Sequence, residues 1–140
     1  MQSNVKILVF ILLAVGIAAC ERVQEPMRHD NPNWTFVAKP DYSVSMTAAI
    51  VLPANLNPYL SDNDLIVALM DDEVRGVGRL YEGIFYIQIQ AADDEIGEVS
   101  FMYWNAKTQY MYKAEQVFPF KENDMLGTPD APMTLTFKVI

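Results

Sequence analysis

Apolar and polar side chains alternate with a period of two through much of this chain, and clusters of Pro, Gly, Asn and Asp interrupt the alternation. No other feature restricts the fold as strongly, because a period of two sends one face of an extended strand into a core and the other into solvent. Within residues 43–52, Val44, Met46, Ala48, Ile50 and Leu52 oppose Ser43, Ser45 and Thr47, which predicts a half-buried strand. Residues 65–70 are apolar without a break, so the next strand is expected to be buried on both faces and to turn at Asp71, Asp72 and Glu73 into a partner over 74–80. After a turn at Tyr81, Glu82 and Gly83, residues 84–91 alternate again, with Phe85, Ile87, Ile89 and Ala91 against Tyr86, Gln88 and Gln90. Val99, Phe101 and Tyr103 share one face of a strand ending at Trp104; short extended pieces at 110–113 and 116–120 and a last strand at 133–140 follow. Residues 53–64 and 121–132, each with two or more prolines or a Pro–Gly combination, read as long surface loops. The expectation is one all-β domain over 34–140, opening at 34–37: an antiparallel β-sandwich of immunoglobulin-like kind, with a small closed barrel as the alternative.

The chemistry open to such a domain is narrow. A chain of 140 residues has room for one ordinary domain, and with a single cysteine it can form no internal disulfide, so its core must hold it together. Its one histidine, His29, lies in a polar stretch with Pro26 and Pro32 that reads as a tether, away from any nucleophile it could activate. Triad hydrolysis and zinc catalysis are therefore not expected, and the domain is read as a non-enzyme. The formal charge of −8 argues against nucleic acid as a partner and against adhesion to anionic lipid through a basic face.

Residues 7–19 carry no charged side chain and follow a short start with one cation, Lys6. The run is shorter than the roughly 18 apolar residues that a spanning helix needs, and it has the length of a signal-peptide core. Ile17, Ala18, Ala19 and Cys20 resemble the lipobox of bacterial lipoproteins. That resemblance implies a signal peptide over 1–19, lipidation at Cys20, a flexible tether over 20–33, and a membrane partner reached through the lipid. Two or three acyl chains, at about 0.8 kcal/mol per buried CH₂, anchor a protein stably where one chain is marginal. Glu21 and Glu25, interrupted by Arg22 and Val23, leave the leaflet open between the outer membrane and the cell surface.

A second resemblance spans the body. Tyr42 to Thr47, then Asp64 to Leu69, then Glu73 to Gly78, with the later Phe101-Met102-Tyr103-Trp104 and Val117-Phe118-Pro119-Phe120, are similar to a module of surface proteins in Bacteroidetes-type bacteria. The resemblance implies a β-sandwich without catalytic residues. Leu69 stands where that module usually has an aromatic residue.

Candidate sites are few. Asp62 and Asp64 close the first long loop and Asp71 and Asp72 form the next turn; such oxygen clusters suit Ca²⁺, the one cofactor considered. A strand over 65–70 would separate the two pairs by about 20 Å, so they are not expected to share an ion, and solvated turn acids are the simpler reading. Trp104, Tyr86, Tyr110 and Tyr112 would offer sugar rings a platform if they faced outward, against the alternative of cross-strand packing. Arg75 is expected to pair with a carboxylate, and Gly76 and Gly78 beside it to mark a bulge or a packed aromatic, with the close approach of a ligand or neighbouring backbone as the alternative. The functional expectation is a lipid-anchored binding or adhesion module presenting its long loops to a glycan or protein, with an accessory subunit of an envelope complex as the second reading.

Overall fold

In the computed structural model, which describes residues 24–140, the alternating segments become strands and no α-helix forms. In chain order they are β1 (Val44–Val51), β2 (Leu65–Met70), β3 (Glu73–Val77), β4 (Arg79–Tyr81), β5 (Ile84–Ala91), β6 (Glu98–Trp104), β7 (Met111–Ala114), β8 (Phe118–Pro119), β9 (Met125–Leu126), β10 (Met133–Thr134) and β11 (Phe137–Val139). One sheet has the order β10-β1-β5-β4, with β9 also on β1; the other runs β11-β7-β6-β2-β3, with β8 on β6. Both sheets are open and largely antiparallel, so the protein is a β-sandwich and the closed barrel is excluded.

The period-two pattern accounts for the core. Met46, Ala48 and Ile50 from β1 and Phe85, Ile87, Ile89 and Ala91 from β5 meet Ile66, Ala68 and Met70 from β2 and Val99, Phe101 and Tyr103 from β6. Each fully buried side chain of this size is worth about 1.5–3 kcal/mol over its exposed state. Strand β2 is buried on both faces from Ile66 to Met70, as its unbroken apolar run requires. Two hairpins close on pairs of positive-φ residues, Asp71 and Asp72 between β2 and β3 and Glu82 and Gly83 between β4 and β5, the geometry that matches strand twist.

Several boundaries differ from the sequence reading. The strand expected over 74–80 splits at Gly78: β3 pairs with β2 in one sheet, and β4 pairs with β5 in the other. The segment 133–140 splits likewise, β10 lying parallel to β1 and β11 antiparallel to β7, with Leu135 fully buried at the crossing. Period-two patterning runs through the second crossing, so it cannot signal a change of sheet there. The 121–132 loop is not free either. Asn123 donates to the Ser45 carbonyl at 2.8 Å, Thr47 donates to the Asp124 carbonyl at 3.1 Å, and β9 continues this pairing along the open edge of β1. Residues 34–37 form no strand, and the presumed tether is joined to the domain from Arg28, which bridges Tyr110.

Glycine makes the first crossing possible. A Cβ on Gly76 would sit 2.2 Å from the Gln88 carbonyl oxygen, and one on Gly78 would sit 2.2 Å from Ile66 Cγ2. Between the pairs Ala68–Gly76 and Leu69–Val74, β3 carries one residue more than β2, so Arg75 occupies a bulge, as its flanking glycine suggested. Gly83 is different: its φ is +79° and nothing lies near its missing Cβ. We expect Gly76→Ala to lower stability by about 2–3 kcal/mol through steric conflict with backbone, and Gly83→Ala by only about 1 kcal/mol through strain in the left-handed region. Urea midpoints measure both, and equal losses would contradict the close approach of β3 to β5.

Candidate functional site

Residues 28–42 reach the sandwich as a strap without regular pairing, so side chains must hold it. At its start, the His29 N–H donates to the Gln109 carbonyl at 2.8 Å, and the His29 carbonyl accepts from Trp104 Nε1 at 2.9 Å. The histidine read as a solvated tether residue is thus fixed, and its Nε2 is buried without a partner among the described residues.

At its far end, the strap is held through Arg75, only 5% exposed. The bulge turns this guanidinium toward Glu95, which it grips with both Nη atoms, Nη1 to Oε1 at 2.8 Å and Nη2 to Oε2. Nη1 also reaches the Gln90 carbonyl at 3.2 Å, and the Ala92 N–H completes the carboxylate's partners at 3.2 Å. Tyr42 lays its ring 4.6 Å from the guanidinium carbon and donates its hydroxyl to Glu73 at 2.7 Å; Lys39 meets the same Glu73 oxygen at 2.9 Å. Phe36 stacks on Tyr42, 6.2 Å between centroids. The bond to Arg75 holds the Glu95 carboxyl below the ordinary carboxylate range, and the Tyr42 hydroxyl followed by Lys39 does the same for Glu73. The expectation that Arg75 pairs with a carboxylate is met.

Held in this way, the strap forms one wall of a groove of about 770 Å³ over the outward side chains of β1 and β5. Trp34 and Phe36 stand on the strap side, and Thr47, Arg79, Tyr86, Gln88 and Gln90 line it from the sheet. Strand pairing sets these residues in rows: Arg79 is opposite Tyr86, Thr47 opposite Gln88, and Ser45 opposite Gln90. A smaller depression of about 440 Å³ shares Arg79 and Tyr86 and continues past Leu80 and Tyr81. No Asp or Glu lines either hollow, although the chain carries 18 of them. An apolar floor with a few neutral donors and acceptors is the usual composition of a small-ligand site.

The residues singled out from sequence are mostly elsewhere. Tyr86 lines the groove. Trp104 is buried beneath the strap's His29, Tyr112 stacks on the core residue Tyr103 at 5.7 Å, and Tyr110 bridges Arg28, so the four aromatics form no common platform. Cross-strand and strap packing took three of them. Asp64 is 5% exposed, and its carboxylate accepts from Ser61 N and Oγ, Tyr103 Oη at 2.5 Å and Ala106 N at 2.8 Å. Burial, then this carboxylate, push the Tyr103 phenol well above its ordinary range. With its lone pairs committed, Asp64 is a structural acid. Asp62, Asp71 and Asp72 are exposed turn residues, and among the described residues no three His, Cys, Asp or Glu side chains gather as metal ligands. Cys20 lies outside the described residues.

Trp34, Arg79, Gln88 and Gln90 were not recognised as site residues. A signal existed on β5: its exposed face carries one tyrosine and two glutamines where an acidic chain would ordinarily place charges. Comparison with protein-family models, curated proteins and solved structures finds no match to this chain.

The Arg75–Glu95 pair also sets an acid response. Because Glu95 titrates lower when folded than unfolded, its contribution is complete above about pH 5 and is lost as pH falls through the folded value. Glu95→Gln leaves a buried cation without the carboxylate that grips both its Nη atoms and should lower stability by about 2–3 kcal/mol near neutral pH. The variant should also lose less stability than the parent between pH 5 and pH 3. Chemical denaturation at several pH values measures both effects, and parallel curves would contradict the assigned role of Glu95.

Proposed function

We propose that this chain is a lipid-anchored protein of the cell envelope, at the outer membrane or cell surface, whose sandwich is a non-catalytic binding module. The groove under the strap is its contact surface, in place of the long loops. One observation carries this reading: Trp34, Phe36 and Tyr86 line a hollow together with Gln88 and Gln90, whose side chains make no hydrogen bond among the described residues. Neither 53–64 nor 121–132 supports a variable contact loop, since Leu56 and Leu126 are buried in the core and β9 pairs with β1. The absence of histidine and carboxylates from the groove lining favours binding over acid–base chemistry there. The similarity of Ile17-Ala18-Ala19-Cys20 to a lipobox supports the anchor.

A screen of the full chain in detergent against glycans and extracellular proteins should yield a ligand. Its affinity should fall about tenfold or more in Trp34→Ala and in Tyr86→Ala, with urea midpoints near the parent's. Binding that survives both changes would place the contact elsewhere. Metabolic labelling with an alkyne fatty acid should mark the parent and not Cys20→Ser; equal label in the two would remove the anchor.

A further inference from the structure

Resting on that reading of the groove, we propose that its ligand is a saccharide chain bearing carboxylate groups, with Arg79 as the residue that selects for the acid. Length comes first. Two hollows share Arg79 and Tyr86 in their linings, one reaching toward Trp34 and the other toward Tyr81, which suits a chain of several units better than a single compact molecule.

The choice of saccharide over peptide follows from the floor. An extended peptide gains most of its affinity by adding to an unpaired strand edge. The smaller hollow borders β4, an edge strand of three residues, but the floor of the larger one is β1 and β5, both internal to the sheet: β5 lies between β1 and β4, and β1 lies between β5 and the β9–β10 edge. Their backbone groups are committed to neighbours, so only side chains remain to bind. Those side chains are aromatic rings and neutral amides. A pyranose offers the complement, an apolar C–H face for the rings and hydroxyls for Gln88, Gln90 and Thr47.

Charge then narrows the class. Arg79 is exposed and makes no ion pair among the described residues, whereas Arg75 and Lys39 are occupied by Glu73 and Glu95. It is the only cation in a lining that holds no carboxylate. In a chain of net charge −8, this lining offers a carboxylate one guanidinium and no acid of its own, and Arg is suited to grip it through two parallel bonds.

Tetramers of galacturonate, glucuronate and mannuronate, each paired with its carboxyl-reduced neutral form, test this by calorimetry on the full chain in detergent. At least one acid should bind about tenfold more tightly than its neutral counterpart, and Arg79→Gln should erase that difference. Tyr86→Ala should weaken both forms. Equal affinity for acid and neutral forms, both lost in Tyr86→Ala, would overturn the carboxylate preference and leave the groove standing. Failure of every tetramer to bind, or capture of an extended peptide instead, would overturn the saccharide. Binding that persists in Tyr86→Ala would overturn the groove itself.

Discussion

The backbone of β3 lies against that of β5 with no space for a side chain between them, and the rest of the structure follows from that contact. Gly76 and Gly78 allow the chain to leave one sheet and enter the other within a few residues. Any larger residue at Gly76 would meet a carbonyl oxygen already fixed in the sheet, so the neighbour cannot yield as a flexible side chain would. The bulge that accompanies the crossing gives Arg75 a position off the regular ladder, and from there it reaches Glu95, Gln90 and Tyr42 at once. A crossing without the bulge would leave the strap's far end without this partner.

Burying a guanidinium is costly unless its donors are satisfied and its charge is matched. Here a two-pronged carboxylate and a backbone carbonyl occupy the Nη atoms, and a tyrosine ring covers one face. Arg75 Nε is buried without a hydrogen-bond partner, with Glu73 no closer than 3.9 Å. The pair therefore contributes more to positioning than to net stability: with Tyr42 and Glu73 it ties the strap, the start of β3 and the β5–β6 connection to one another.

Much of this was legible in the residues. Strands β1, β5 and β6 follow from alternation, β2 from its unbroken apolar run, and both tight hairpins from Asp, Glu and Gly at the turns, because burial and positive φ are local demands that leave local marks. The change of sheet within 133–140 left none, since that segment alternates as smoothly as a single strand does, and the one within 74–80 left only Gly76 and Gly78, which mark an irregularity without saying that the chain changes sheet. Pairing of β9 along β1 was hidden for another reason: a two-residue strand in a proline-rich segment is stabilised by its neighbour's open edge and not by its own sequence. The aromatic residues illustrate the same limit. Composition shows that Trp104, Tyr110 and Tyr112 are available for a surface, but only the path of the strap decides that two of them lie against residues 28 and 29 and that Tyr86 remains open.

The strap links the core to the groove in one direction. Trp34 and Phe36 belong to a segment without ladder bonds, and Phe36 rests on Tyr42 and, through it, on Arg75 and Glu73. Sheet residues such as Tyr86 and Gln88 are set by strand pairing and need no such support. One wall of the groove is therefore as rigid as the sandwich, and the other is as rigid as a single buried cation and its partners. A ligand lying between them gains from both, since contacts to the strap add to the few that hold it, while the sheet side loses no freedom on binding. This asymmetry accounts for the placement of a buried, multiply bonded cation at the strap's attachment, away from the groove it supports.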